Sequence, residues 1–289
     1  MMISSTTSEH TWTDEARDLL RGVGGAALLG IPLVYTMELW QFATMIATRV
    51  LFLYLLAALI AGVGYNFVSG FRHETGLKQA VYDSFEALGI GILLALLLLF
   101  LLNIVGAGTP ITDIACKTAV VAIPLSLGVS VANKQFSGGG QDSDDEGQAS
   151  AEQPASKISP DLYEAGIALA GSLLFAFNIP PTEEVMLIAS RTTPLHLIGL
   201  VLFSLFLSYG LLFVAAFEGR EERRKAEGLL QTPLGETLLA YLIALAVSFV
   251  LIVTFHAVTP QASLQTTIAA TIVLGLPATI GGAAGRLLA

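Results

Sequence analysis

One cysteine stands in 289 residues, Cys116, so a disulfide framework and a cysteine-based zinc site are both excluded within a single chain. Charge is also scarce. Asp, Glu, Lys and Arg make up 13% of the residues, against about a quarter in an average soluble domain. The charge that remains is mostly acidic, a net −9, which argues against a nucleic-acid partner. Motifs of common chemistries are missing too: no His-Glu-x-x-His, no Gly-x-Ser-x-Gly elbow and no P-loop. The only lysine in a predicted span, Lys117, sits near its end, which disfavours a retinal Schiff base. No cofactor is expected. The first ten residues lack the basic start and cleavage site of a secretory signal, so the first apolar run is expected to persist.

What is abundant is apolar surface. Hydrophobic residues are 54% of the chain and the mean hydropathy is +0.73. Runs of the ~20 residues that a helix needs to cross a ~30 Å hydrocarbon core recur along its length. They predict eight spans, at 22–42, 47–70, 86–106, 112–133, 163–188, 195–217, 235–257 and 264–285. The fold class expected is therefore an all-α polytopic membrane protein of the cell membrane, in contact with lipid. Thr13-Asp14-Glu15 reads as the capped start of a short helix leading into it.

Residues 137–158, built from Gly, Ser, Gln, Asp and Glu, cannot bury enough apolar surface to fold and read as an acidic linker. They separate a first unit, 1–136, from a second, 159–289. Landmarks recur across the linker in the same order. Thr36-x-Glu38 and Thr182-x-Glu184 lie 146 apart; Glu86 and Glu236, and Thr109-Pro110 and Thr259-Pro260, lie 150 apart; Pro124 and Pro277 lie 153 apart. A duplicated four-helix unit is the economical account. An even number of spans per unit makes the repeats parallel, related by a pseudo-two-fold axis along the membrane normal. Basic residues gather on one side, Arg220 to Lys225 foremost, which predicts cytoplasmic termini.

The stretch that carries the functional expectation is Asn178-Ile179-Pro180-Pro181-Thr182-Glu183-Glu184, with Pro32 to Glu38 as its echo. A carboxylate in a membrane helix costs about 2.5–3.5 kcal/mol on insertion scales, so it usually faces a cavity or a partner. Pro32, Pro180 and Pro181 remove backbone donors and are expected to break the helices beside Glu38 and Glu184, while Pro124 and Pro277 kink theirs. Grouped oxygens of this kind suit a proton or a hard cation such as sodium or calcium. Glu38 and Glu184 are the candidate metal or proton ligands, meeting across the axis. Thr36 and Thr182 are secondary ligands, and Glu183 is an unmatched extra acid.

The competing reading pins the acids to Arg49 and Arg191, which return to nearly the same helical faces. Thr36 and Thr182 could equally bond back to their own helices. Tyr35 and Trp40 fit an interfacial aromatic belt. Asn103 suits a bond between helices, and Ala57, Ala58, Ala61, Gly62 and Gly64 suit close helix packing.

An enzyme reading rests on a partial likeness. Glu183-Glu184 followed by Arg191 resembles the Glu-Glu-x-x-x-Arg motif of the membrane proteases that cleave prenylated proteins, but six residues separate the pair from the arginine and no Phe-x-x-x-His follows. The proline-glutamate repeats follow the logic of cation exchangers by analogy alone. As a whole, through Pro-x-x-Tyr-Thr-Met-Glu-Leu-Trp at 32–40 and Pro-Thr-Glu-Glu at 181–184, the chain resembles a bacterial and archaeal family of integral membrane proteins of unknown function. That resemblance implies no activity. The expectation is a non-enzymatic cation channel or proton-coupled transporter, a dimer for preference, with a lipid- or partner-binding module as the other alternative.

Overall fold

Spanning lipid requires every backbone polar group to be satisfied within the protein, and this chain does so with helices alone among the described residues. The structure, a computed structural model, describes residues 12–69, 77–135, 160–177, 179, 183–218, 232–258 and 262–288. The predicted linker 137–158, the basic segment Arg220 to Lys225 and the residues Asn178, Pro180, Pro181 and Thr182 lie outside them.

The first half holds α1 (Trp12–Val34), the short α2 (Met37–Gln41) continued by a 3-10 turn (Phe42–Met45), α3 (Thr48–Ser69), α4 (Leu77–Leu101) and α5 (Ile111–Gln135). The second half holds α6 (Pro160–Ala176), the short α7 (Glu184–Arg191), α8 (Pro194–Glu218), α9 (Pro233–Thr254) and α10 (Leu264–Leu288). Six helices are long and apolar enough to cross a membrane, and a seventh span results if α1 and α2 are counted as one.

Among the described residues, six to seven such spans are present where eight continuous ones were expected. The predicted span 22–42 bends by 88° between α1 and α2. The predicted span 163–188 stops at Ala176 and restarts as an eight-residue helix, as expected where two consecutive prolines cannot continue the hydrogen-bond ladder. The short lead-in helix predicted before the first span is instead the opening of α1 itself. Glu86, predicted at a helix start, lies exposed well inside α4.

Proline does not break the other helices. Pro124 lies inside the 25-residue α5 and Pro277 inside the 25-residue α10. Pro32 lies inside α1, and the break follows at Tyr35 and Thr36. Membrane helices tolerate such prolines where a neighbour satisfies the freed carbonyl.

Each half is built on its last helix. α5 packs against α1, α3 and α4, and α10 against α6, α8 and α9. Glycine sets the closest of these approaches: a Cβ on Gly25 would stand 2.6 Å from the carbonyl oxygen of Gly128, and one on Gly128 would stand 2.7 Å from that of Gly25. Gly171 and Gly281 meet in the same reciprocal way where α6 crosses α10. Backbones this close leave no room for a side chain. α10 is the most buried of the six long apolar helices, and α3 is the least.

The ends of α4 and α9 also match. Asn103 (φ 52°) and His256 (φ 56°) are the two non-glycine residues with positive φ among the described residues. In each case the chain then turns back, with Val105 N–H donating to Leu99 O at 3.2 Å and Val258 N–H to Ile252 O at 3.4 Å. This left-handed closure satisfies the last carbonyls of a helix.

Candidate functional site

The two breaks are built differently from similar sequence. At the first, α1 ends at Val34, and Thr36, extended at φ −79° and ψ 107°, precedes α2 without a side-chain cap bond. Thr36 N–H donates to Leu33 O, and Leu39 N–H to Thr36 O, each at 3.0 Å. Glu38 follows in the first turn of α2, where the helix dipole favours an acid, and its side chain is exposed. At the second, Ile179 N–H closes a turn onto Ala176 O at 3.1 Å. Glu183 then sits exposed at the N-cap of α7, making no side-chain cap bond, with Glu184 as its first helical residue.

The breaks meet at one cavity. Pro32, Tyr35 and Thr36 line it from the first half, and Leu174, Phe175, Ile179 and Glu184 from the second, around a volume of about 480 Å³. Glu184 is half-buried. Its Oε2 has no solvent contact and no hydrogen-bond partner among the described residues. Thr36 lines the same space. Glu38 does not line it, because the 88° bend carries α2 away from the axis of α1. The cavity therefore brings together Glu184 and Thr36, from different halves, and leaves Glu38 apart.

Neither arginine pins an acid. Among the described residues, Glu38 and Glu184 form no ion pair with Arg49 or Arg191; Arg21 pairs with Asp18 at 3.2 Å. Arg191 stacks over the ring of Trp40, its guanidinium carbon 5.7 Å from the centroid, a distance at which the ring's quadrupole attracts a cation. The Arg191 carbonyl accepts from Asn103 Nδ2, the interhelical bond expected of that asparagine. Arg49 is exposed at the start of α3.

Tyr35 and Trp40 are not belt residues. Both are buried, at 2% and 1% exposure. Trp40 Nε1 donates to Val34 O at 3.2 Å, capping the open end of α1. The Tyr35 hydroxyl donates to Val273 O on α10. The i−4 rule for Pro277 marks Val273 as an acceptor in need, but no sequence rule points to Tyr35 as its donor. His196 shares a 2.7 Å hydrogen bond with Thr193 through Nδ1 and packs its ring on Phe100. His256 is exposed beyond α9.

Among the described residues, no three His, Cys, Asp or Glu side chains come together as a metal site. One carboxylate with an uncommitted oxygen and one hydroxyl can take up a proton or supply two of a cation's ligands. They fall short of the six to eight oxygens that calcium takes.

A bundle of apolar helices with an acid at a central break defines an integral multi-pass membrane protein. The family model that matches residues 18–289 is described as "Putative integral membrane protein (DUF2391)", and the chain belongs to this family, whose function is unknown. No curated protein and no solved structure matches the chain.

Proposed function

We propose that this protein moves a proton or other cation across the cell membrane, with Glu184 as the carrier group and Thr36 beside it. Two observations carry the reading: Glu184 lines a cavity shared by the two broken helices, and its buried Oε2 has no partner among the described residues. A carboxylate in such surroundings is held for binding rather than for structure. The small donor set favours a proton over calcium. The protein acts without a cofactor and without bond-breaking chemistry.

The reading includes an internal duplication, α1–α5 and α6–α10, with both termini cytoplasmic. Its support is the shared order of elements, the matched glycine crossings, and the matched closures after α4 and α9. Offsets are 146 for Gly25 with Gly171 and 153 for Gly128 with Gly281 and for Asn103 with His256. The offset of 150 that pairs Glu86 with Glu236 is out of this register, in which Glu236 answers to Asp83.

The test is proton uptake into proteoliposomes under an imposed potassium diffusion potential, read by an enclosed pH-sensitive dye. Wild type is expected to acidify the lumen. Glu184→Gln should fall to the level of empty liposomes, and Glu38→Gln should retain uptake. Full uptake by Glu184→Gln would refute the assignment.

A further inference from the structure

The two halves touch in a one-sided way. Half one offers α1 and α4, and half two offers α8 and α10: α1 packs on α8 and α10, and α4 packs on α8. A Cβ on Gly24 would meet Leu211 at 2.7 Å, one on Gly210 would meet Leu20 at 3.1 Å, and one on Gly199 would meet Leu101 at 2.8 Å. If the halves were related by a two-fold, each pair would have its counterpart: α6 on α3, α6 on α5, and α9 on α3. None of the three packs as a helix pair among the described residues. The contact is therefore head-to-tail rather than self-complementary, and such a contact leaves one used face and one unused face on every unit.

The unused faces are those of α3 and α6. The register of the duplication says which residues stand where the working contact stands. Leu20 with Gly210 maps to Gly166 with Gly64, and Gly24 with Leu211 maps to Ala170 with Tyr65. Gly64 and Gly166 are both exposed, and a Cβ on either would meet nothing within 4 Å. Glycine weakens a helix and gives nothing to lipid; its use is to let another backbone come close. Ala57, Ala61 and Ala170 lie exposed on the same two helices, whereas Ala58 and Gly62 are already buried against their own half.

We infer that a second copy of this chain occupies these faces, α3 of each copy packing on α6 of the other, so that four halves close into a ring with a two-fold axis. The inference rests on the duplication described above. It also accounts for Glu38. Leu29, Leu33 and Glu38 correspond in register to Phe175, Ile179 and Glu184, which line the cavity between halves. The first three are exposed in the single chain, Leu29 at 50% and Leu33 at 47%. The second copy covers them, and the ring then holds an acid at every junction between halves.

Cysteine cross-linking in membranes, in a Cys116→Ser background, tests this. Gly64→Cys with Gly166→Cys is expected to give a covalent dimer on mild oxidation, while either cysteine alone stays monomeric on a denaturing gel. The in-chain pair Leu20→Cys with Gly210→Cys, read by a protease cut in the 137–158 segment, tests the contact already present. A failure of that pair unseats the fold on which the duplication stands. Its success beside only monomer, or a ladder beyond dimer, from the first pair overturns the closed ring alone. Gly64→Leu with Gly166→Leu has open space in the single chain, so it should convert dimer to monomer in native mass spectrometry with unchanged helix content. Persistence of the dimer in that variant would count against the assigned faces.

Discussion

The Tyr35 hydroxyl is bonded to the carbonyl oxygen of Val273, the acceptor whose usual partner four residues on is Pro277. A residue at the break in the first half thus repairs the ladder of the central helix in the second. Removing it leaves a buried carbonyl without a donor, so Tyr35→Phe should cost about 1–3 kcal/mol. Replacing Pro277 by alanine restores the backbone N–H. In that background Tyr35→Phe should cost markedly less, and a double-mutant cycle by thermal unfolding in detergent measures the coupling. Equal costs in both backgrounds would show that the bond does not hold the break in place.

The paired positive-φ residues predict opposite responses to small substitutions. A left-handed conformation costs a non-glycine residue roughly 1–2 kcal/mol, so His256→Gly should stabilise the protein by about that amount. Its exposed side chain makes little to lose. At Asn103 both alanine and glycine forfeit the bond to Arg191 O, but only alanine keeps the strain. Asn103→Ala should therefore unfold at a lower temperature than Asn103→Gly, with the difference again about 1 kcal/mol.

Gly128 and Gly89, both outside the proposed dimer faces, should respond to alanine with opposite signs that a stability screen can separate. Gly128→Ala puts a methyl 2.7 Å from Gly25 O and 2.9 Å from Ala26 Cα, both backbone atoms that cannot step aside. It should destabilise by about 1–3 kcal/mol, as overpacked cores do. Gly89 in α4 faces open space, so Gly89→Ala should gain up to about 1 kcal/mol of helix propensity. The midpoint of an SDS titration reads both signs.

Much of the helix layout was legible because apolar runs and helix ends are local properties. The apolar run expected at 86–106 is present, although its helix opens earlier, at Leu77, and closes at Leu101. What was not legible depended on directions that a string of residues does not carry. Pro32 announces a break near Glu38, yet the helix continues to Val34 and then turns through 88°, so the acid leaves the axis that the repeat would place it on. The same bend buries Tyr35 and Trp40, whose composition suits an interface. Thr36 and Glu184 were nameable as polar residues out of place, but their meeting at one cavity is a tertiary fact.

The arginine beside the second break provides the sharpest check on its electrostatics. Helical spacing alone would pair Arg191 with Glu184, whereas the guanidinium lies over Trp40. A cation–π contact whose cation is exposed, as Arg191 is, contributes about 0.5–1 kcal/mol. In double-mutant cycles Arg191→Ala should therefore couple to Trp40→Leu by about that amount. It should couple to Glu184→Gln hardly at all, because no ion pair joins them among the described residues. Arg191→Lys should keep part of the Trp40 coupling, since an ammonium retains the charge but is more strongly hydrated than a guanidinium. A strong Arg191–Glu184 coupling would mean that the carboxylate is neutralised within the protein, and the proposed carrier role of Glu184 would then have no free acid on which to act.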